Sequence, residues 1–254
     1  MLLSLASPII FAHRGASSHA PENTLAAFHL AIDHGAKAIE LDVQLTRDQE
    51  VVVFHDTKLN RTTDGSGRIR SHSLHEIKQY NAGISFSPAY QNEKVPSLAE
   101  VLDLMPPEIL INIELKNLHA PLDDLPARTA AVIADFNAQD RVLISSFNVI
   151  ALRNFARADA SIPLGLLLPS SFSAKFYSHL LAFLINIRTI HLSYKSLSPQ
   201  LVARFKQAGK LVFSYTLNHT QDILTALEMG IDGFFTDDPG FAYRLLTQKG
   251  YLTA

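Results

Sequence analysis

Ile39-Glu40-Leu41-Asp42-Val43 alternates branched apolar residues with carboxylates. In a strand, residues two apart share a face, so both carboxylates point one way and the apolar side chains the other. Ile111-Asn112-Ile113-Glu114-Leu115-Lys116 repeats the pattern, with Asn112, Glu114 and Lys116 as the polar set. Strands of this kind suit a closed barrel wrapped in helices. The apolar face then meets the helices, and the polar face points inward toward the barrel mouth.

Upstream, the apolar run Pro8 to Ala12 ends in His13-Arg14-Gly15, where the glycine permits a sharp turn without the cost of a Cβ. Glu22 to His34 carries Leu25, Phe28 and Ile32 at helical spacing and stops at Gly35. Ala38 to Val43 is the second strand, and Glu50 to Phe54 is a third short extended run that delivers His55. The segment of about 57–95 has no long apolar period and reads as an insertion, with Leu74, Ile77 and Tyr80 on one short helix. Ser97 and Glu100 then form a capping box ahead of a short helix to about Leu104.

From there the rhythm is regular. Strands are expected at Ile109–Leu115, Val142–Ser145, Leu164–Leu168, Thr189–Leu192, Leu211–Thr216 and Gly233–Thr236. Helices are expected at Leu125–Phe136, Val149–Ala158, Ala174–Leu184, Pro199–Ala208, Gln221–Met229 and Phe241–Gln248. With Ile9–Ala12 and Ala38–Val43 counted first, the chain holds eight strand–helix units. Strands alternating with helices imply a parallel sheet, and eight of them imply closure into a (β/α)8 TIM barrel. Residues 1–254 are accordingly expected to form one domain with the insertion on its rim.

Composition agrees. The 254 residues are 47% hydrophobic and 18% charged, enough for one large core, and the formal charge is −2. No general basic field exists to hold nucleic acid or an anionic membrane, so any bound anion must be held locally. The absence of cysteine excludes disulfides and thiolate metal sites and fits a reducing, cytoplasmic setting. The apolar start has no basic region and runs directly into the first strand, so no signal peptide is expected. The apolar stretch Phe176 to Leu192 is interrupted by His179, Asn186, Arg188 and His191, so no membrane anchor is expected either. Oligomeric state is not encoded in any feature of the sequence.

The inward polar faces gather Glu40, Asp42 and Glu114 with Lys116. Two like charges at about 4 Å repel by roughly 4 kcal/mol at an effective dielectric of about 20. One lysine cannot neutralise three carboxylates, so a proton or a divalent cation is expected, and all-oxygen ligands favour Mg²⁺ or Ca²⁺ over zinc. His13 and His55 stand at strand ends, where two histidines can divide base and acid work. Arg14 offers a planar fork suited to phosphate. These groups describe phosphoryl transfer, and no Gly-x-Ser-x-Gly elbow is present for acyl transfer. Asp56 either orients His55 or stabilises a turn. His19, His29, His34, His72, His75, His119, His179, His191 and His219 lack a partnered carboxylate motif and read as surface or packing residues.

His13-Arg14-Gly15, Pro21-Glu22-Asn23-Thr24, Glu40-x-Asp42, His55-Asp56 and Glu114-x-Lys116 together resemble the signature of the glycerophosphodiester phosphodiesterase family. Leu59-x-Arg61-Thr62-Thr63-x-Gly65, Pro96-Ser97-Leu98-x-Glu100, Tyr215-Thr216-x-Asn218 and Gly230-x-Asp232-Gly233-x-x-Thr236-Asp237-x-Pro239 extend the resemblance over essentially the whole chain. It implies hydrolysis of small-molecule glycerophosphodiesters to sn-glycerol 3-phosphate and an alcohol, with one divalent cation, Mg²⁺ or Ca²⁺. It further implies Glu40, Asp42 and Glu114 as metal ligands and His13 and His55 as the acid/base pair. Arg14 and Lys116 would hold the phosphate, and Tyr215 would supply an aromatic platform where the family often has tryptophan. Which histidine is the base is open, with His13 as the working choice. Phe86 or Tyr90 is expected on the leaving-group side. Alternatives are a lysophospholipid-cleaving enzyme of the same superfamily, a non-catalytic glycerophosphodiester-binding barrel, and a metal-dependent aldolase or isomerase on the same fold.

Overall fold

Each expected strand is a short run rich in apolar residues, and each forms. The computed structural model describes residues 7–170 and 187–252. Its strands are β1 (Ile9–His13), β2 (Ala38–Leu45), β3 (Val51–Val53), β4 (Leu110–Leu115), β5 (Val142–Ser146), β6 (Leu164–Leu168), β7 (Thr189–Ser193), β8 (Leu211–Tyr215) and β9 (Gly233–Thr236). Eight of them run parallel in the order β1-β2-β4-β5-β6-β7-β8-β9, and β9 pairs with β1 to close a (β/α)8 barrel. The exception is β3, which folds back antiparallel on β2 with Val43 opposite Val53. It is a rim hairpin that carries the chain to His55.

The two faces of the strands build two different interiors. Ile39, Leu41, Val43, Ile111, Ile113 and Leu115 point outward into a layer shared with helix residues such as Phe28, Leu102 and Ile133. Inside the barrel, Ile9, Phe11, Ala38, Leu110, Leu143, Phe213 and Phe235 form a separate apolar plug. Phe11 stacks on Phe235 with centroids 4.8 Å apart and 19° between planes. Burial of each such ring stabilises the barrel by roughly 1.5–3 kcal/mol. Two residues further along each strand the inward position turns polar: Phe11 gives way to His13, Ala38 to Glu40 and Asp42, Leu110 to Asn112 and Glu114. The plug therefore seals one end, and the ionisable groups collect at the carboxyl ends of the strands.

Helix ends follow local chemistry. The first helix is Leu25–Asp33, shorter than the expected Glu22–His34, because Thr24 caps it and Asn23 sits in the left-handed region at φ 58°. The capping box of Ser97 and Glu100 opens the helix Leu98–Leu104 as expected. The helices Leu125–Asp135, Val149–Ala158, Pro199–Gln207, Thr220–Glu228 and Pro239–Gln248 each lie within two residues of the expected spans. The helix expected at Ala174–Leu184 falls outside the described residues. Gly15 has φ +84°, and a Cβ there would stand 2.6 Å from the Ala27 backbone, so the turn after β1 needs glycine.

Residues of about 57–95 form single 3-10 turns at Leu59–Arg61, Ile69–Ser71 and Pro88–Tyr90 and a short helix at Leu74–Ile77. Tyr80 lies beyond that helix, but with Leu74 it packs on a small core of Val52, Phe54, Leu59, Ile69, Ile77, Ala82 and Val95.

Candidate active site

Strand register brings the ionisable groups together. His13 lies opposite Glu40, Glu40 opposite Asn112, and Asp42 opposite Glu114. Glu40, Asp42 and Glu114 are all buried, and one carboxylate oxygen from each lies within 4.8 Å of the others. Burial, and then the charge of Asp42, pushes the Glu40 carboxyl up to about 8. Burial also raises Glu114, against the opposing pull of Lys116. Burial works on Asp42 in the same sense, but Arg14, Lys116, His55 and a hydrogen bond from Asn23 outweigh it and hold Asp42 well below the usual carboxylate range.

Two cations flank this cluster. Arg14 Nε stands 3.2 Å from Asp42 Oδ2, and its backbone N–H donates to Glu40 Oε2 at 3.0 Å. Arg14 is itself left-handed at φ 56°, a conformation costly for a non-glycine residue and held by these contacts. Lys116 Nζ donates to Glu114 Oε1 at 2.9 Å and stands 3.6 Å from Asp42 Oδ1. That Asp42 oxygen is buried and has no hydrogen-bond donor. Asn23 locks the other one, donating through Nδ2 at 2.9 Å.

Each histidine has its own carboxylate. His13 Nδ1 is 2.6 Å from Asp237 Oδ1. Asp237 is fixed in turn by Asn218 Nδ2 at 2.6 Å and Ser17 Oγ at 3.2 Å. Burial lowers the His13 pKa, but the Asp237 hydrogen bond and the Glu40 charge reverse this and leave it raised. His55 Nδ1 is 2.7 Å from Asp56 Oδ1, so Asp56 orients the ring. Arg61 Nε donates to Asp56 Oδ2 at 2.6 Å, and Arg61 also donates to Glu22 at 2.7 Å. Hydrogen bonding from Arg61 above all holds Asp56 down at about 2. Burial lowers His55, with Asp42 opposing and Lys116 and Arg14 assisting.

The cluster borders two hollows that share part of their lining. The inner one, about 200 Å³, is lined by His13, Arg14, Glu40, His55, Glu114, Lys116 and Tyr215, with Asn112, His191 and Phe235 toward the plug. The outer one, about 410 Å³, shares His55, Glu114, Lys116 and Phe147 and extends over Asp56, Lys58, Leu118 and His119. Tyr215 donates its hydroxyl to the Leu168 carbonyl at 2.9 Å and meets Phe147 edge-on with centroids 6.1 Å apart. Phe86 and Tyr90 line neither hollow. Phe86 borders a separate one of about 190 Å³ with Glu22 and Arg61, and Tyr90 donates its hydroxyl to the His19 carbonyl at 3.1 Å. Phe147 lines both hollows, and Leu118 and His119 line the outer one.

All eight residues singled out from the sequence thus meet at one mouth. Asp237, Glu22 and Arg61, quoted only as motif letters, are structural partners of the set. Asp237 was findable in principle, since it follows the strand that closes the barrel against β1.

Residues 13–241 match the Glycerophosphoryl diester phosphodiesterase family. The chain belongs to this family. It is 35% identical to the glycerophosphodiester phosphodiesterase of Caldanaerobacter subterraneus subsp. tengcongensis over 243 residues, 95% of this chain and 99% of that one. It is also 32% identical to a glycerophosphodiester phosphodiesterase of Bacillus subtilis, covering 98% of this chain and 89% of that protein. Among solved structures, the Oleispira antarctica phosphodiesterase in complex with the product sn-glycerol-3-phosphate superposes with a TM-score of 0.87 at 33% identity, covering 94% of this chain and 97% of that one. As a family member the chain is a phosphoric diester hydrolase. Among the described residues, no helix is long and apolar enough to cross a membrane.

Proposed function

We propose that the protein hydrolyses glycerophosphodiesters to sn-glycerol 3-phosphate and an alcohol, with one divalent cation held by Glu40, Asp42 and Glu114 and with His13 and His55 as base and acid. The observation that carries this reading is the convergence of three buried carboxylates within 4.8 Å of one another beside two histidine–aspartate pairs. The product complex of the Oleispira relative supports the glycerol phosphate half of the assignment.

The donor set fits a hard cation. It consists of oxygens alone, Asp42 Oδ1 is buried without a hydrogen-bond donor, and the Glu40 carboxyl is driven up by its neighbours in a way that a bound positive charge relieves. A Mg²⁺ or Ca²⁺ ion held by Glu40, Asp42 and Glu114 would supply Lewis acidity and offset the charge of the diester. Arg14 and Lys116 hold the phosphate and offset the charge that grows as the phosphorus is attacked. Tyr215 walls the inner hollow, where the glycerol phosphate sits.

Geometry divides the histidines. In an in-line displacement the entering and leaving oxygens lie on opposite sides of the phosphorus. His55 lines both hollows and His13 only the inner one. His55 therefore protonates the alcohol departing into the outer hollow, and His13 takes the proton from the attacking oxygen. The raised pKa of His13 makes it the stronger base, and the lowered pKa of His55 the stronger acid. Residues of about 57–95 serve the same single catalytic unit by holding Arg61 against Asp56. The absence of cysteine supports a cytoplasmic setting, in which the enzyme acts on free small-molecule diesters.

The test is release of glycerol 3-phosphate from glycerophosphocholine and glycerophosphoethanolamine by purified wild type and His55→Ala. Turnover of both substrates, falling roughly 10²–10⁴-fold in the variant, is expected. No product from metal-supplied wild type overturns the proposal.

A further inference from the structure

Neither Glu22 nor Arg61 takes part in the proton transfers above, yet both stand between groups that carry the reaction. Arg14 Nη1 donates to Glu22 Oε1 at 3.0 Å. Arg61 donates twice to the same carboxylate, Nη1 to Oε2 and Nη2 to Oε1, each at 2.7 Å. It also donates twice to Asp56, Nε to Oδ2 at 2.6 Å and Nη2 to Oδ1 at 3.1 Å. Asp56 Oδ1 in turn lies 2.7 Å from His55 Nδ1. Cation and anion thus alternate along Arg14, Glu22, Arg61 and Asp56, from the phosphate's guanidinium to the ring of the leaving group's acid.

The two middle members come from different parts of the chain, and each is anchored there. Glu22 follows the buried Pro21 and precedes Asn23, whose backbone N–H donates to the Arg14 carbonyl at 3.0 Å and whose side chain donates to Asp42. Arg61 ends the 3-10 turn that begins at Leu59, and Leu59 is buried in the small core of the insertion. The Arg61 side chain is 48% exposed, and a single ion pair at that exposure adds little stability. Its geometry has another value. Guanidinium–carboxylate pairs with two parallel bonds fix orientation, and a guanidinium that makes two such pairs is held from both ends. With both oxygens of Asp56 taken by Arg61, the carboxylate against which His55 is oriented cannot swing.

We infer that Glu22 and Arg61 are positioning residues that join the two ends of the reaction in one frame, Glu22 aiming Arg14 at the phosphate and Arg61 aiming His55 at the departing oxygen. The inference rests on the proposed roles of Arg14 and His55. Through the one side chain of Arg61, the insertion supplies part of the catalytic geometry.

Two esters of sn-glycerol 3-phosphate separate the two ends. Glycerophosphocholine loses an alkoxide that needs a proton, whereas the p-nitrophenyl ester loses nitrophenolate, which departs without one. Steady-state kcat and KM are measured on both for Mg²⁺-supplied wild type, His55→Ala, Arg61→Ala and Glu22→Gln, with melts to show folding. His55→Ala is expected to lose far more on the choline ester than on the nitrophenyl ester. Arg61→Ala should follow the same pattern, with kcat on the choline ester down roughly tenfold or more, the scale of one charge-assisted bond. Glu22→Gln should raise KM for both esters, by roughly tenfold on the same scale, since Arg14 serves the phosphate they share. Should Arg61→Ala not fold, Arg61→Lys carries the comparison, because an ammonium cannot make the paired bonds to both carboxylates. Equal losses on the two esters at position 61 mark a purely structural role and overturn the inference, as does an unchanged KM in Glu22→Gln. No turnover by wild type, or a His55→Ala loss equal on both esters, sinks the proposed mechanism itself. The expected His55→Ala contrast without a counterpart at position 61 sinks the frame alone.

Discussion

Asp237→Asn is expected to damage catalysis more than Asp237→Ala, and the reason lies in Asn218. Asn218 Oδ1 accepts from Thr236 Oγ1 at 3.0 Å and from the Asp237 backbone N–H at 2.9 Å, so its amide cannot flip. Its Nδ2 must therefore donate toward position 237, where Asp237 Oδ2 now accepts at 2.6 Å. An asparagine there turns its own oxygen to Asn218 and presents its NH₂ to His13. His13 Nδ1 then has to accept, its proton moves to Nε2, and the nitrogen facing the inner hollow can no longer act as a base. The expected loss in kcat is the whole general-base contribution, roughly 10²–10⁴-fold. Alanine removes only the 2.6 Å charge-assisted bond. Such a bond is worth about 1.5–3 kcal/mol, or roughly 10–150-fold. The assay is steady-state release of glycerol 3-phosphate from glycerophosphocholine, with thermal melts to show that both variants fold. An asparagine variant as active as the alanine variant would refute the tautomer argument.

Three further outcomes follow from the same geometry. His55 lies below and His13 above the ordinary histidine value, so kcat/KM should be bell-shaped in pH, its acid limb set by His55 and its alkaline limb by His13. Because the Asp56 hydrogen bond raises His55, Asp56→Asn should move the acid limb to lower pH and leave the alkaline limb in place. Glu40 binds its proton more tightly folded than unfolded, its pKa raised from 4.5 to about 8, so the metal-free protein should lose stability as pH rises through that window. Melting temperature in EDTA should thus fall between about pH 5 and pH 8, with added Mg²⁺ or Ca²⁺ reversing the trend at the alkaline end; a flat profile would contradict it. Gly15→Ala must adopt φ +84° with its Cβ 2.6 Å from the Ala27 backbone. A loss of more than about 1–2 kcal/mol in denaturant unfolding is expected, since the left-handed conformation alone costs that much.

What the sequence revealed and what it withheld divide along physical lines. Glu40, Asp42 and Glu114 were legible because strand alternation has a strict period of two, and a carboxylate amid branched residues must point away from them. That Asp42 lies opposite Glu114 depends on register, which no single strand encodes. The His13–Asp237 pair joins residues 224 positions apart through barrel closure, so its chemistry was invisible locally even though the motif letters were present. Asp56 stood beside His55, and only its competing role in a turn hid its function. His191 was read as packing for want of a neighbouring carboxylate; it is packed, between Phe213 and Phe235, but it also lines the cavity. The start of the first helix was misplaced because nothing short of the backbone shows Asn23 to be left-handed and turned onto Asp42. Phe86 and Tyr90 were expected on the leaving-group side on aromatic character alone; the aromatic ring that lines both hollows is Phe147, in the loop after β5.

The central claim is that Glu40, Asp42 and Glu114 hold the cation on which hydrolysis depends. Its most direct test strips the protein with EDTA, removes the chelator, and titrates Mg²⁺ or Ca²⁺ back while glycerol 3-phosphate release from glycerophosphocholine is measured. Activity should be absent from the stripped protein, return with one ion per chain in wild type, and fail to return in Glu114→Gln. Full activity of the stripped protein, or a Glu114→Gln variant that recovers like wild type, would contradict the account.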